Sequence, residues 1–224
     1  LGLGPDRDES EGWELPGDAR GDAWHAALAA FFRRRPEPED GEAWSDAEVA
    51  ELQDGVEECL RDRMTSRGVR ASAFSEHALR TARRAAAAYL AGEPTWRGPY
   101  RVVACEEPYE GVVAVGERRV RVKGTVDRIE ARRDGGTLVV RIVDYKTGRS
   151  RSDLPLFDST KPVVPERALR FGGMFQLPLY AVAVAKLDSF RGAEVEDIGY
   201  HYPASPVGER PRRCDPAILH DRFV

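Results

Sequence analysis

Residues 120–148, VRVKGTVDRIEARRDGGTLVVRIVDYKTG, decide the fold. Two strand-like runs flank Asp134-Gly135-Gly136, whose glycines accept the positive φ of a tight reversal, so the runs are expected to pair antiparallel. In the first run Val120, Val122 and Val126 share one parity, and Arg121, Lys123, Thr125 and Asp127 share the other. Alternation points the valines at a core and leaves Asp127 toward a polar cleft among basic groups. The second run, Leu138 to Val143, is apolar at nearly every position, which predicts a central strand covered on both faces. It runs out in Asp144-Tyr145-Lys146, where a spacing of two sends Asp144 and Lys146 to one side and Tyr145 to the other.

An acid and an ammonium at a strand end have two readings. One is an ordinary exposed ion pair, worth under about 1 kcal/mol. The other is part of a metal site, because two convergent carboxylates at strand ends supply the hard oxygen ligands that Mg²⁺ takes. A lysine beside them can orient a water or balance charge developing on a phosphoryl group. Composition favours the second reading: the chain has four lysines against thirty arginines, so lysine is not the default cation here.

Working outward, Gly21 to Arg34 has helical character, with Trp24, Leu28 and Phe31 on one stripe and Phe32 beside it. His25 lies in its first turns, and a lone helical histidine is more often structural or merely exposed. Residues 35–43 read as a loop. Ser45 with Glu48 marks a capping-box start, and Val49, Leu52, Val56 and Leu60 keep helical spacing to about Met64. A third helix is expected from Ser72 to Leu90, burying Phe74, Leu79, Ala82, Ala86 and Tyr89 and stopped by Gly92 and Pro94. His77 within it has no motif around it. Tyr100 to Cys105 and Gly111 to Gly116 are short strand candidates, separated by Glu106-Glu107-Pro108-Tyr109.

Beyond Gly148, residues 149–167 carry three prolines and little periodicity, as in a long connection bordering a substrate path. A helix follows over Phe175 to Val184, its regular part starting close to Pro178. Gln176 and Tyr180 share one of its faces, and Tyr180 by itself suits core packing with a polar tip. Asp197 to Tyr202 reads as a closing strand, and the tail through Arg212, Arg213 and Cys214 carries no signal.

At 224 residues the chain suits one α/β domain, with residues 1–20 as an acidic linker or N-terminal extension and 21–224 as the domain. A formal net charge of −4 and a pI near 5.7 argue against a free-standing, high-affinity DNA binder. The basic residues nevertheless cluster: Arg118, Arg119, Arg121, Lys123, Arg128, Arg132 and Arg133 crowd the hairpin, and Arg149 and Arg151 follow it. Most such runs are solvated faces, but Arg121 and Lys123 share the strand face of Asp127 and are candidate phosphate contacts. Cys59, Cys105 and Cys214 are too scattered for a zinc site, an iron–sulfur cluster or a disulfide framework. Neither a membrane-length apolar run nor a secretory signal is visible, so a cytoplasmic location with no membrane partner is expected.

The pattern Gly124-x-x-Asp127, a spacer, then a hydrophobic strand ending Asp144-Tyr145-Lys146 resembles the nuclease motif of the PD-(D/E)XK superfamily. More narrowly it is similar to the RecB-like (AddAB-type) branch found in bacterial helicase–nucleases. That branch has a G-x-x-x-H motif in an early helix, matched by Gly21 and His25, and an E-x-x-aromatic motif before the hairpin, matched by Glu106 and Tyr109. Its Q-x-x-x-Y helix is matched by Gln176 and Tyr180. The resemblance implies a restriction-endonuclease-like α/β fold, a mixed central sheet flanked by helices. It also implies Mg²⁺ or Mn²⁺ held by His25, Asp127, Asp144 and the carbonyl of Tyr145. Lys146 would assist the attacking water, and Gln176 and Tyr180 would support the site and contact DNA. The four-cysteine iron–sulfur staple of several relatives cannot be built from this sequence. Implied partners are DNA, as a single strand or duplex end, and a helicase domain or subunit. A catalytically silent DNA-binding module of such a complex is the rival reading.

Overall fold

The computed structural model describes residues 15–34, 42–115, 118–148, 176–204 and 212–214, with side chains at all of these except 113–115, 118, 176–178 and 212–214. The expected hairpin forms. β2 (Arg118–Asp134) pairs antiparallel with β3 (Thr137–Tyr145) and closes with Asp134 opposite Thr137. Gly135 and Gly136 sit at φ 53° and 96°, a left-handed pair that a Cβ would strain.

Before β2 lies β1 (Arg101–Val115); after β3 come β4 (Glu194–His201) and β5 (Arg212–Cys214). The five strands stand in the order β1-β2-β3-β4-β5. Only the β3–β4 pairing is parallel, so the sheet is mixed, as expected. β3 is central and buried from Val139 to Tyr145, which explains its nearly unbroken apolar run. Where two short strands were expected on either side of Glu106 to Tyr109, β1 runs through without a break. Pro108 is tolerated because β1 is an edge strand, where a missing amide proton need not break a ladder.

Three helices precede the sheet. α1 (Gly17–Arg34) buries Trp24, Leu28, Phe31 and Phe32. α2 (Asp46–Ser66) starts on the expected capping box, in which Ser45 N donates to Glu48 Oε2 at 2.8 Å and Glu48 N to Ser45 Oγ at 3.4 Å. α3 (Ala73–Arg97) is capped by Ser72 and buries Leu79, Ala82, Ala86 and Tyr89, but Phe74 is 64% exposed. The buried stripe, followed back by four residues from Leu79, reaches Ser75 instead.

Nor does α3 stop at Gly92 and Pro94; it continues to Arg97 and ends at Gly98, φ 57°. Tertiary contacts override the local breakers. Glu93 and Arg97 are buried and paired, and Arg141 Nη1 donates to the carbonyls of Trp96 and Arg97, satisfying last-turn acceptors.

The connection from β3 to β4 carries α4 (Gln176–Val184), in which Pro178 falls in the first turn, where no intrahelical donor is needed. α1, α2 and α3 pack with Cys105, Val143 and Tyr145 in one apolar cluster. Tyr180, Ala183 and Val184 of α4 pack with Val126, Ile129, Ile142 and Ile198 in another. The sheet thus lies between helices. Alternation in β2 holds only in part: Val126 is buried and Val122 packs at the α4 side, but Val120 is 43% exposed. That end of β2 pairs with β1 alone, because pairing to β3 runs only from Arg128 to Asp134.

Candidate active site

Strand register assembles the acids. The pairs Cys105↔Arg128 and Glu107↔Val126 bracket Glu106 and Asp127, so these carboxylates sit opposite one another on β1 and β2. Arg128↔Val143 likewise puts Asp127 level with Asp144 at the end of β3. Three acids in one cross-strand row repel one another unless a cation joins them.

α1 delivers His25 to this row. Its Nδ1 lies 3.4 Å from Asp127 Oδ1 and 3.6 Å from Glu106 Oε1, and its Nε2 lies 3.1 Å from the Tyr145 carbonyl oxygen. Asp127 is fixed from the other side, where Oδ2 accepts from Tyr145 N at 2.7 Å. Donor atoms of His25, Glu106 and Asp127 all fall within 4.8 Å of one another, a cluster that suits a divalent cation. One turn before His25, Gly21 lets α1 come close: a Cβ there would stand 3.4 Å from Thr147 Oγ1. An open depression of about 520 Å³, lined by Gly21, Asp22, His25, Ala26, Arg33 and Glu106, leads to the cluster from outside.

Asp144 is fully buried, and Lys146 Nζ stands 2.5 Å from its Oδ2. That contact is an ion pair without hydrogen-bond alignment, so both carboxylate oxygens of Asp144 lack an aligned donor. Glu106 Oε1 is likewise buried without one, and Glu106 itself holds φ 50°, a left-handed conformation that costs a residue with a Cβ about 1–3 kcal/mol. A cation at this place would satisfy these buried oxygens.

The electrostatics agree. Burial disfavours charge on His25, but the adjacent carboxylates of Asp127, then Glu106, outweigh it and raise its pKa from 6.5 to about 10. Burial first, then the negative charge of Asp127, raises the Asp144 carboxyl from 3.8 to about 6, against the pull of Lys146. A proton on His25 thus occupies the place of positive charge that a metal would take.

The structure places His25, Asp127 and the Tyr145 carbonyl together, with Asp144 and Lys146 beside them. Gln176 opens α4, but its side chain lies outside the described residues. Tyr180 is buried, edge-on to Tyr109 with ring centroids 5.8 Å apart. Tyr109 in turn stands opposite Gly124, where a Cβ would come within 2.6 Å of its hydroxyl oxygen. The glycine of G-x-x-D is therefore the floor for an aromatic ring that braces Tyr180.

The structure adds two features to the roles read from the sequence. The first is that Glu106, the acid of the E-x-x-aromatic motif, belongs to the cluster. The second is a buried ion network of Glu93, Arg97, Arg128, Glu130, Arg141 and Asp197 between α3 and the sheet. Arg128 Nη2 bonds Glu93 at 3.1 Å and also Glu130, so this arginine, counted among the basic cluster, is not available to a phosphate. Arg132 is engaged as well, with Tyr100, Asp134 and Glu196. Arg141, a charge inside an apolar strand, was the available clue.

A family model of the PD-(D/E)XK nuclease superfamily matches residues 1–214. The chain belongs to this superfamily. Membership implies a nuclease that acts with a divalent metal, and the mixed sheet with flanking helices is the fold expected of one. No curated protein sequence matches. Among solved structures, similarity is found to one titled "Crystal structure of SSO0001", at 13% identity over 91% of this chain and 81% of that one, with a TM-score of 0.31. Among the described residues, no helix is long and apolar enough to cross a membrane.

Proposed function

We propose that this PD-(D/E)XK protein is a Mg²⁺- or Mn²⁺-dependent deoxyribonuclease of RecB-like type, the nuclease unit of a bacterial helicase–nuclease that processes DNA ends for recombinational repair. One observation carries the reading: His25, Glu106 and Asp127 converge within 4.8 Å beside a buried Asp144 whose oxygens lack aligned donors. His25, Glu106, Asp127, Asp144 and the Tyr145 carbonyl would hold the cation. This mixed set of hard oxygens with one imidazole fits Mn²⁺ as well as Mg²⁺. When bound, the cation supplies Lewis acidity toward phosphoryl oxygens and lowers the pKa of water.

The chain's own groups do the rest. Lys146, held by Asp144, places an ammonium where it orients the attacking water and offsets charge growing on the phosphoryl oxygens. Asp127, fixed by the Tyr145 amide, keeps its other oxygen turned to His25 and the cluster. Tyr180 acts through Tyr109 as a positioning residue, and Gln176, one helical turn earlier, is assigned to the substrate backbone.

The test is cleavage of end-labelled single-stranded and duplex DNA with Mg²⁺ or Mn²⁺, comparing the protein with Lys146→Ala. Metal-dependent products from the parent alone support the reading, and their lengths separate exonuclease from endonuclease. Binding without cleavage by both proteins would replace it with a silent DNA-binding module.

A further inference from the structure

β1 and β2 continue past the sheet as a two-stranded ribbon. Their pairing runs without interruption from Glu107↔Val126 to Val115↔Arg118, whereas pairing of β2 to β3 starts only at Arg128. On this ribbon Arg119, Arg121 and Lys123 have the parity of Asp127, so they project from the face that carries the acidic row. All three are exposed. At about 3.4 Å per residue, Lys123 lies roughly 14 Å from Asp127 and Arg119 roughly 27 Å along the strand.

Across the pair, Val112 and Glu110 complete that face opposite Arg121 and Lys123. Glu110 is bonded by Arg121 Nε at 2.6 Å, with Arg121 78% exposed, so the pair is weak and exchangeable. The face therefore carries three cations against one acid, in a chain whose formal net charge is −4. The opposite face is different in kind: Val122 and Tyr109 pack there toward Ala183 and Leu187 of the α4 side. One side of the ribbon is anchored and the other is left basic.

We propose that the Arg119–Arg121–Lys123 face binds the sugar-phosphate backbone of the DNA strand outside the acidic cluster, a track that holds substrate roughly 14–27 Å from the site of hydrolysis. The track rests on the nuclease reading for its orientation, and it names where an otherwise acidic protein grips a polyanion. A two-stranded ribbon twists strongly, which turns successive cations around the strand they follow. Reach makes the track length-selective. A substrate of three or four nucleotides occupies the cluster without touching it, and a longer one gains all three contacts.

The experiment compares the full chain with Arg119→Gln/Arg121→Gln/Lys123→Gln. DNA binding is measured in Ca²⁺ against salt, and cleavage in Mg²⁺ or Mn²⁺, on a long oligonucleotide and on a tetranucleotide. The expected result is a slope of log affinity against log salt smaller by about two to three units. KM for the long substrate should rise at least tenfold with kcat little changed, and tetranucleotide kinetics should be the same. An unchanged salt slope, or equal losses on both substrates, overturns the track. If neither protein cuts DNA but the variant loses binding, the track stands and the hydrolase reading falls. A parent that binds no DNA overturns the track too.

Discussion

Two clusters of acids and bases are built into the same sheet, and they differ in balance. In the network under α3, Glu93, Glu130 and Asp197 face Arg97, Arg128 and Arg141, three acids against three permanent cations. At the end of β3, among the described residues, Lys146 is the one permanent cation ion-paired to the acids Glu106, Asp127 and Asp144, with His25 charged only while it holds a proton. The first cluster is buried and balanced in charge. The second carries a deficit of positive charge, and that deficit, more than burial or the number of acids, is what supports the proposed metal site.

The sharpest way to break the comparison is to remove one charge from each cluster. Arg128→Met leaves Glu93 and Glu130 buried without their guanidinium and is expected to cost about 3–5 kcal/mol, read as a lower urea midpoint. Asp144→Asn should do the reverse. Its carboxylate is disfavoured in the folded protein, so the metal-free variant melts at or above the parent temperature while cleavage falls on the order of 10²-fold or more. Matched destabilisation by both substitutions would mean that the second cluster is structural after all.

Protons sharpen the same contrast. The His25 pKa is raised from 6.5 to about 10, so its stabilising contribution in the metal-free protein is complete below pH 6.5 and lost as pH rises through 10. Asp144, raised from 3.8 to about 6, also loses stability with rising pH, within the lower window. Metal-free unfolding free energy should therefore fall between pH 6.5 and 10, by about 2 kcal/mol after solvent screening, read as a lower melting temperature. With Mn²⁺ present the trend should flatten or invert, because a metal displaces the His25 proton and binds more tightly as pH rises. His25→Gln should remove the pH 6.5–10 slope from the metal-free curve; a slope that survives it would place the titration elsewhere.

How legible these clusters were in the sequence follows from the length scale of their signals. The hairpin, the central strand and the caps are local, decided by Asp134-Gly135-Gly136, by Leu138 to Val143 and by Ser45 with Glu48, and all appear as expected. Strand alternation singled out Asp127, but its meeting with His25 was implied only by resemblance, since 102 positions separate them in the chain and no local rule joins α1 to β2. The end of α3 was misjudged for a related reason: Gly92 and Pro94 are local breakers, and what overrides them is the distant pairing of Glu93 with Arg128. Glu106 shows a third limit, because its left-handed backbone is imposed by the fold and leaves no mark on composition.

Backbone fit gives smaller effects. Gly124→Ala drives a Cβ to 2.6 Å from the Tyr109 hydroxyl, and that ring cannot swing away because it is buried against Tyr180. A loss of about 1–3 kcal/mol is expected, with kcat falling more than stability alone explains if Tyr109 braces the site. Adding Tyr109→Leu should recover much of the stability, and the double-mutant cycle measures the coupling.

Gly21→Ala tests the close approach of α1 to the site with the smallest effect of the set. The new methyl would meet Thr147 Oγ1 at 3.4 Å, ordinary van der Waals distance, so no clash opposes it. Alanine in place of glycine within a helix contributes about 0.5–1 kcal/mol of stability. The variant should melt slightly higher with metal affinity within twofold of the parent, because His25 one turn later keeps its own backbone position. A larger residue separates fit from propensity: Gly21→Leu has a comparable helix preference but must displace Thr147, and through it the strand end that carries Asp144 and Lys146. Retained metal affinity in Gly21→Leu would show that the cluster tolerates movement of α1. Loss there with retention in Gly21→Ala would show that the second cluster, unlike the self-contained network under α3, depends on how closely one helix is allowed to approach the sheet.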